Sequence, residues 1–186
     1  RSLDLSLDEM WMDFKQKVRK NVKRASACNL RCIIENSDEH LEDFLRIYYS
    51  TMDRAEAEGK YYFSRQFYEK LNQMKENVMY FYAVYEEKIV SSELVIYGSQ
   101  NAYSYLGGTD RDYFDVRPND FLKYEIIKWA KEKGLKNFVL GGGYGTNDGI
   151  FRYKLCFAPH GKYDFYIGRK IFDKVSYDKL VDLRSG

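Results

Sequence analysis

The spacing of apolar residues in the first third of the chain is helical. Over residues 7–27 the apolar positions recur every three or four residues, with lysines and arginines between them. These positions are Met10, Trp11, Phe14, Val18 and Val22. A short apolar strand is predicted over residues 30–35. Ser37 has the residue type of an N-cap, so we predict a helix from there to about residue 52 and another from residue 64.

The middle of the chain is rich in aromatic and β-branched residues, a composition typical of strands. We predict strands over residues 78–85, 88–97 and 101–106, joined by short turns. Gly107 and Gly108 are expected to end the third strand. Three neighbouring strands with such short connections form an antiparallel sheet.

A helix and a parallel strand are predicted to follow. Pro118 suits the first turn of a helix over residues 119–133, and Gly134 suits its end. An apolar strand over residues 137–140 then runs into the glycines at 141–143. A helical crossover brings the new strand parallel to the previous one, so the sheet is mixed and the fold class is α/β. In such a sheet a ligand cleft opens beyond the strand ends.

The last part of the chain is predicted to add three short elements. Asn147 or Asp148 is expected to cap a short helix. Residues 163–168 have the composition of a strand, and Ser176 begins a closing helix.

Composition and charge narrow the class of protein. The chain has 186 residues, 45% hydrophobic and 31% charged, which is typical of a soluble globular domain. A net charge of +2 argues against a dedicated nucleic-acid coat protein, although the basic face of the first helix could meet nucleic-acid phosphates. The three cysteines lack the spacing of a zinc site and fit reduced thiols in the cytoplasm. No apolar run approaches the roughly 20 residues of a membrane span.

Several stretches, in order along nearly the whole chain, carry a family resemblance. They are Trp11-x-x-Phe14 with Arg19-Lys20-Asn21-Val22, Tyr48 to Arg54, Tyr62-Phe63, Tyr103 to Gly108, Ile126 to Gly134, Leu140 to Gly143 and Asp148 to Lys154. On these motifs the sequence resembles the Fem family of non-ribosomal peptidyltransferases and the related FemAB-like acetyltransferases.

The resemblance implies the GNAT acyltransferase fold, with a central mixed, mostly antiparallel sheet flanked by helices. It implies an enzyme that passes an aminoacyl group from aminoacyl-tRNA to an amine of a peptidoglycan precursor, without a cofactor. The glycine-containing pyrophosphate loop of CoA-dependent relatives is replaced here by residues 115–119, so CoA is the less expected donor.

Fem-type enzymes carry two GNAT-like domains, and this chain has room for one. By the resemblance we expect residues 29–186 to be the C-terminal domain, with residues 1–28 a leader helix packed on it. A second GNAT-like domain is then expected elsewhere in a longer protein.

The resemblance also assigns a catalytic residue. Lys154 holds the position of the lysine in the family's Phe-Lys pair, and a cation there would stabilise the negative charge that develops on the carbonyl oxygen. The alternative is a solvated surface lysine. Asp148 is a candidate to bind the substrate amine and accept its proton, or it serves only as the N-cap.

Five further residues are candidates for substrate binding. Arg54 matches a family arginine that contacts phosphate of the precursor, although a helix-end arginine can also satisfy carbonyls. Arg117 is a second phosphate candidate, near a helix N-terminus. Tyr105 and Gly108 lie in a matching strand. Gly142 belongs to a glycine run that either lets a substrate approach the backbone or simply forms a turn.

Two other functions stay open. One keeps the fold and uses acetyl- or acyl-CoA to acylate an amine or hydroxyl of a cell-surface sugar or polysaccharide. The other is a catalytically silent domain that presents the acceptor to a partner domain. No metal site is expected, and the histidines His40 and His160 have no arrangement that suggests a triad.

Overall fold

A five-stranded sheet organises the protein. The computed structural model describes residues 1–143, 145 and 148–185, with the backbone alone at Ser185. The strands lie in chain order: β1 (Arg31–Glu35), β2 (Val78–Tyr85), β3 (Lys88–Tyr97), β4 (Asn101–Thr109) and β5 (Asn137–Val139). Neighbours are antiparallel except β4 and β5, which are parallel. The predicted mixed, mostly antiparallel sheet is confirmed.

Helices cover both faces of this sheet. They are α1 (Leu7–Asp13), α2 (Gln16–Ala27), α3 (Leu41–Arg54), α4 (Arg65–Asn72), α5 (Pro118–Glu132), α6 (Gly149–Leu155) and α7 (Lys174–Ser185). α5 lies across β2 to β5 and carries α2 on its outer side, while α3 packs on β3 and β4. Two separate apolar clusters result, one on each face of the sheet. None of the helices in the described part of the chain combines the length and apolarity needed to cross a membrane.

The predicted helix over residues 7–27 is two helices. Phe14 and Lys15 have extended backbone between α1 and α2. The break brings Phe14 into the core, 1% exposed, where its ring contacts Trp11, Tyr124 and Phe157. The amide of Lys15 donates to the carbonyl of Cys156 (2.9 Å). Long-range packing therefore interrupts a pattern that is helical throughout.

The start of α3 also differs from the prediction. Its N-cap is His40, three residues after Ser37. The carboxylate of Glu35, the last residue of β1, accepts from the His40 amide (3.2 Å) and pairs with His40 Nδ1 (2.8 Å). These bonds hold the intervening turn outside the helix, so the N-cap prediction at Ser37 is wrong.

The two glycines predicted to end the third strand lie inside it. β4 continues to Thr109, with Gly107 opposite Glu93 and Gly108 opposite Ser92. A Cβ at Gly108 would stand 2.8 Å from the carbonyl oxygen of Ile47 on α3. The glycine is therefore a site of close helix–strand approach rather than a strand end.

The predicted strand over residues 163–168 is wrong. Tyr163, Phe165 and Tyr166 are more than 80% exposed, and no strand in the described part of the chain pairs with them. The outer edge of β5, where a further strand would add, is occupied by residues 1–3. Leu3 N donates to Lys136 O and Phe138 N donates to Arg1 O, both at 2.8 Å. The closing helix is present and begins at Lys174, two residues before Ser176.

Candidate active site

The cleft predicted beyond the strand ends is formed where β4 and β5 separate. The two strands pair over residues 101–103 and 137–139, and β4 then continues for six residues beside β3 only. The opening holds a cavity of about 510 Å³, bordered by the C-terminal end of α3, the N-terminal end of α5, and α6. It is the natural place for a ligand in this topology.

A bulge in β4 shapes this cavity. Leu94 of β3 lies opposite Leu106 and Val95 lies opposite Ser104, so Tyr105 has no cross-strand partner. The Tyr105 side chain lines the cavity and is 42% exposed. Bulges of this kind redirect side chains beside functional sites.

Lys154 lies in the last turn of α6 and lines the cavity. α6 is started by Asp148, whose carboxylate accepts from the amides of Phe151 (2.7 Å) and Gly145 (2.8 Å). Asn147, the other predicted cap, is outside the described residues. Lys154 Nζ donates to the carbonyl of Gly142 (2.7 Å), which holds the ammonium between α6 and the glycine run after β5.

Two influences lower the pKa of the Lys154 ammonium. Burial has the larger effect, and the positive charge of Lys123 adds to it, while Glu93 and Asp148 oppose the shift. An ammonium with a lowered pKa gives up a proton more readily. Lys154 can therefore both hydrogen-bond to an oxyanion and protonate a leaving group.

The cavity floor, which we define as Glu93, Ser104 and Lys123, carries a buried ion pair. Glu93 and Lys123 are 3% and 6% exposed. Each carboxylate oxygen of Glu93 lies 2.5 Å from Lys123 Nζ, and the ammonium also donates to Ser104 Oγ (2.9 Å). All three residues line the cavity.

Some buried polar atoms of cavity-lining residues have no hydrogen-bond partner in the described part of the chain. They include Asp120 Oδ1 and the Tyr153 hydroxyl oxygen. Burial raises the pKa of the Asp120 carboxyl, against opposing contributions from Asn21, Arg117 and Lys17. Burial, and then the charges of Asp120 and Glu93, raise the pKa of Tyr153 well above its ordinary value. Unpartnered buried polar groups in a cavity are suited to bind a polar ligand.

Arg54 and Arg117 also line the cavity. Arg54 Nη2 donates to Thr109 O (3.2 Å) and Thr51 Oγ1 (3.3 Å), and its guanidinium lies 5.1 Å from the centre of the Phe114 ring. It therefore joins the end of α3 to β4 instead of satisfying carbonyls at its own helix end. Arg117 has left-handed backbone (φ 58°) immediately before α5, and its buried Nε has no partner among the residues that the structure describes.

The structure brings most of the predicted site residues together. Five line this cavity: Lys154, Arg54, Arg117, Tyr105 and Gly108. Gly142 contacts Lys154 through its carbonyl, and Asp148 lies one and a half turns from Lys154 as the helix cap. Their roles in binding and catalysis stay predictions.

The floor and Asp120 were not predicted from the sequence. A signal was present, because Glu93 and Lys123 are charged residues within a strand and a helix that are largely apolar. Such residues are usually solvent-exposed, however, and only the packing of α5 on β3 shows that these two meet.

Among the described residues, one group of side chains could share a metal ion. It consists of Glu35, Glu39 and His40, beside the start of α3, and none of these lines the cavity.

Comparison with protein families assigns most of the chain to a known domain family. The model of the acetyltransferase (GNAT) domain matches residues 12–155. The lipid II:glycine glycyltransferase of Staphylococcus haemolyticus is 24% identical over 101 residues, 48% of this chain and 24% of that protein. The same enzyme of Staphylococcus epidermidis is 23% identical over 97 residues, 46% of this chain and 23% of that protein. The matched part thus spans about a quarter of these curated relatives.

Solved structures share the fold. The crystal structure of FemX superposes with a TM-score of 0.67 at 16% identity, covering 84% of this chain and 56% of FemX. An aminoglycoside acetyltransferase from an uncultured soil metagenomic sample, crystallised with trehalose, gives a TM-score of 0.58 at 17% identity over 77% of this chain and 97% of that one. The resemblance to the Fem family is confirmed, and the chain belongs to the family of acetyltransferase (GNAT) domains.

Proposed function

We propose that this domain transfers an aminoacyl group from aminoacyl-tRNA to an amine of a peptidoglycan precursor. The observation that carries the proposal is the position of Lys154, whose partly buried ammonium lines the cavity where β4 and β5 separate. The similarity to lipid II:glycine glycyltransferases supports the substrate class.

In the proposed reaction Lys154 acts on the acyl carbonyl. When an amine attacks an ester, negative charge develops on the carbonyl oxygen, and a fixed cation in a site with little water stabilises it by several kcal/mol. Lys154 is fixed by the Gly142 carbonyl, and the cavity removes part of its hydration. Its lowered pKa also suits donation of a proton to the departing oxygen.

The segment before α5 supports a donor other than CoA. A CoA pyrophosphate needs free amides at a helix N-terminus. Here that segment is a 3₁₀ helix, Arg111–Val116, and the Arg117 amide already donates to Phe114 O (3.2 Å). Pro118 has no amide hydrogen, and the Phe121 amide donates to Arg117 O (3.2 Å). Few amides are left for a pyrophosphate.

Basic groups suit the phosphates of both proposed substrates. Arg54 and Arg117 lie in the cavity, where a guanidinium can bind the phosphate of a nucleotide- or lipid-linked precursor. The outer face of α2 exposes Lys17, Lys20 and Lys23, which suits contact with tRNA. Because the chain matches about a quarter of its curated relatives, we include in the proposal a second GNAT-like domain in the full-length protein.

Transfer of a radiolabelled amino acid tests this proposal. The full-length protein is incubated with a set of aminoacyl-tRNAs and with lipid II that carries a free side-chain amine. We expect labelled lipid II with at least one of them. The Lys154→Met variant should lose this transfer and keep its folding midpoint, while Lys70→Met, on the exposed face of α4 away from the cavity, should retain both. Full transfer by the Lys154→Met variant would remove Lys154 from the mechanism.

Calorimetry with CoA tests the donor separately. We expect no binding at micromolar concentrations. Micromolar affinity, together with acetyl transfer to a sugar amine or hydroxyl, would replace the proposal with a CoA-dependent acetyltransferase. Binding of lipid II without transfer from either donor would indicate a domain that only presents the acceptor.

A further inference from the structure

The ion pair on the cavity floor is not explained by stability. Glu93 and Lys123 are both more than 90% buried, and removing two charges from water costs about as much free energy as their attraction returns. Apolar residues of the same size would serve the core at least as well. A charged pair on the cavity floor is therefore expected to act on the ligand that the cavity binds.

Glu93 faces a glycine on the neighbouring strand. Its neighbour on β4 is Gly107, where a Cβ would lie 3.5 Å from the Cβ of Glu93 and 2.7 Å from the carbonyl oxygen of Ser92. Any other residue at this position would bring its side chain against Glu93. With glycine there, Glu93 remains part of the cavity lining although it lies on an inner strand.

Lys123 fixes the orientation of this carboxylate. Its ammonium has three donors, and they match three acceptors: the two oxygens of Glu93 and the hydroxyl of Ser104. The carboxylate is therefore held from one side. Each oxygen keeps a further lone pair that can accept a proton or a hydrogen bond from the cavity.

The charged and titratable groups around Glu93 come from two helices. α5 supplies Lys123 and Asp120, and α6 supplies Lys154 and Tyr153. The charge of Glu93 acts on Lys154 and on Tyr153, so these groups are near one another in the cavity. A carbonyl bound at Lys154 would have the Glu93 carboxylate close to its attacking nucleophile.

We propose that Glu93 is a catalytic residue, which accepts the proton released by the acceptor amine, and that Lys123 is the positioning residue that holds it. The inference rests on the proposed acyl transfer. The amine nitrogen forms a bond to the acyl carbon, and the bond from that carbon to the leaving oxygen breaks. The amine proton passes to Glu93, a proton from Lys154 passes to the leaving oxygen, and exchange with water restores both groups.

Substitution of the whole pair separates catalysis from folding. In the double variant Glu93→Met, Lys123→Met no buried charge is left without a partner and no buried amide is introduced, so we expect its urea midpoint to equal or exceed that of the wild type. We expect its kcat for transfer to lipid II to fall by about 10²-fold or more, with KM changed less than about threefold. The matched control is Glu69→Gln, which removes a surface partner of Arg65 and should leave kcat unchanged.

Transfer to hydroxylamine as the acceptor distinguishes a catalytic role of Glu93 from a purely structural one. After it attacks, its nitrogen loses a proton to water far more easily than an alkyl amine does, so the step needs a base less. We expect the double variant to lose less than about tenfold with hydroxylamine. Equal losses with the two acceptors, or an unchanged kcat with lipid II, would overturn the role of Glu93. Absence of transfer by the wild type would instead overturn the proposed function, and with it this inference.

Discussion

The two lysines of the candidate site differ in their surroundings more than in their chemistry. Lys123, on the cavity floor, is 6% exposed and has three acceptors for its three donors. Lys154, with Arg54, forms what we call the cavity rim, where its ammonium has one described acceptor, the Gly142 carbonyl. A fully paired cation belongs to the framework of the site. A cation with spare donors is available to a ligand.

Removal of the floor lysine should have the largest effect on stability. Lys123→Met leaves the Glu93 carboxylate buried without its partner, and we expect it to lower the free energy of unfolding by about 3–5 kcal/mol. Urea denaturation followed by circular dichroism measures this change. Lys154→Met should change the same quantity by less than about 1 kcal/mol, because the rim lysine leaves no buried charge behind. Equal losses would contradict the distinction between floor and rim.

The next largest loss of stability is expected from a substitution where α3 closely approaches β4. Gly108→Ala places a methyl group 2.8 Å from the Ile47 carbonyl oxygen and against Thr51, so we expect a loss of about 1–3 kcal/mol. Gly98→Ala is the matched control, since no atom lies within 4 Å of a Cβ there, and its stability should stay within about 0.5 kcal/mol of the wild type. Thermal denaturation of the two variants decides this prediction.

Arg54 on the rim should affect binding more than stability. Arg54→Ala is expected to weaken the affinity for a phosphate-bearing precursor analogue in calorimetry, with a smaller loss at high salt, because screening weakens the interaction in the wild type. Arg65→Ala, on the exposed face of α4, serves as the control. Unchanged affinity would make Arg54 a structural residue that joins α3 to β4.

The smallest effect is expected for the pH dependence at Asp120. Burial raises the pKa of this carboxyl above 3.8 in the folded protein, so the folded state holds the proton more tightly than the unfolded state. Its contribution to stability is present below pH 3.8 and is lost as the pH rises through the folded pKa. We therefore expect Asp120→Asn to gain stability relative to the wild type between pH 4 and pH 7, measured by thermal melts. A constant difference would contradict the raised pKa.

The regular helices and strands could be predicted well from the sequence, because each depends on the local spacing of apolar residues. The strands β1 to β3 and the helix α5, with Pro118 at its start and Gly134 (φ 75°) after its end, lie within about a residue of their predicted positions. Apolar periodicity and backbone chemistry determine them. Asp148 caps α6 for the same reason.

The features that were predicted wrongly or not at all depend on contacts between distant parts of the chain. The helix over residues 7–27 breaks because Phe14 packs against Phe157. The edge of β5, where a strand over residues 163–168 would add, is bonded to residues 1–3. The Glu93–Lys123 pair joins residues thirty positions apart through the packing of α5 on β3. Local patterns carry no information about such pairings.

The three-residue pairing of β4 with β5 has a consequence for the chemistry of this architecture. The opening exists because backbone hydrogen bonding between the two strands stops after three residues. It does not depend on the identity of any one side chain. Its framework is therefore independent of the groups that project into it. Evolution can exchange those groups for ones suited to another acyl donor without redesigning the scaffold, which is how one architecture comes to accommodate many transferases.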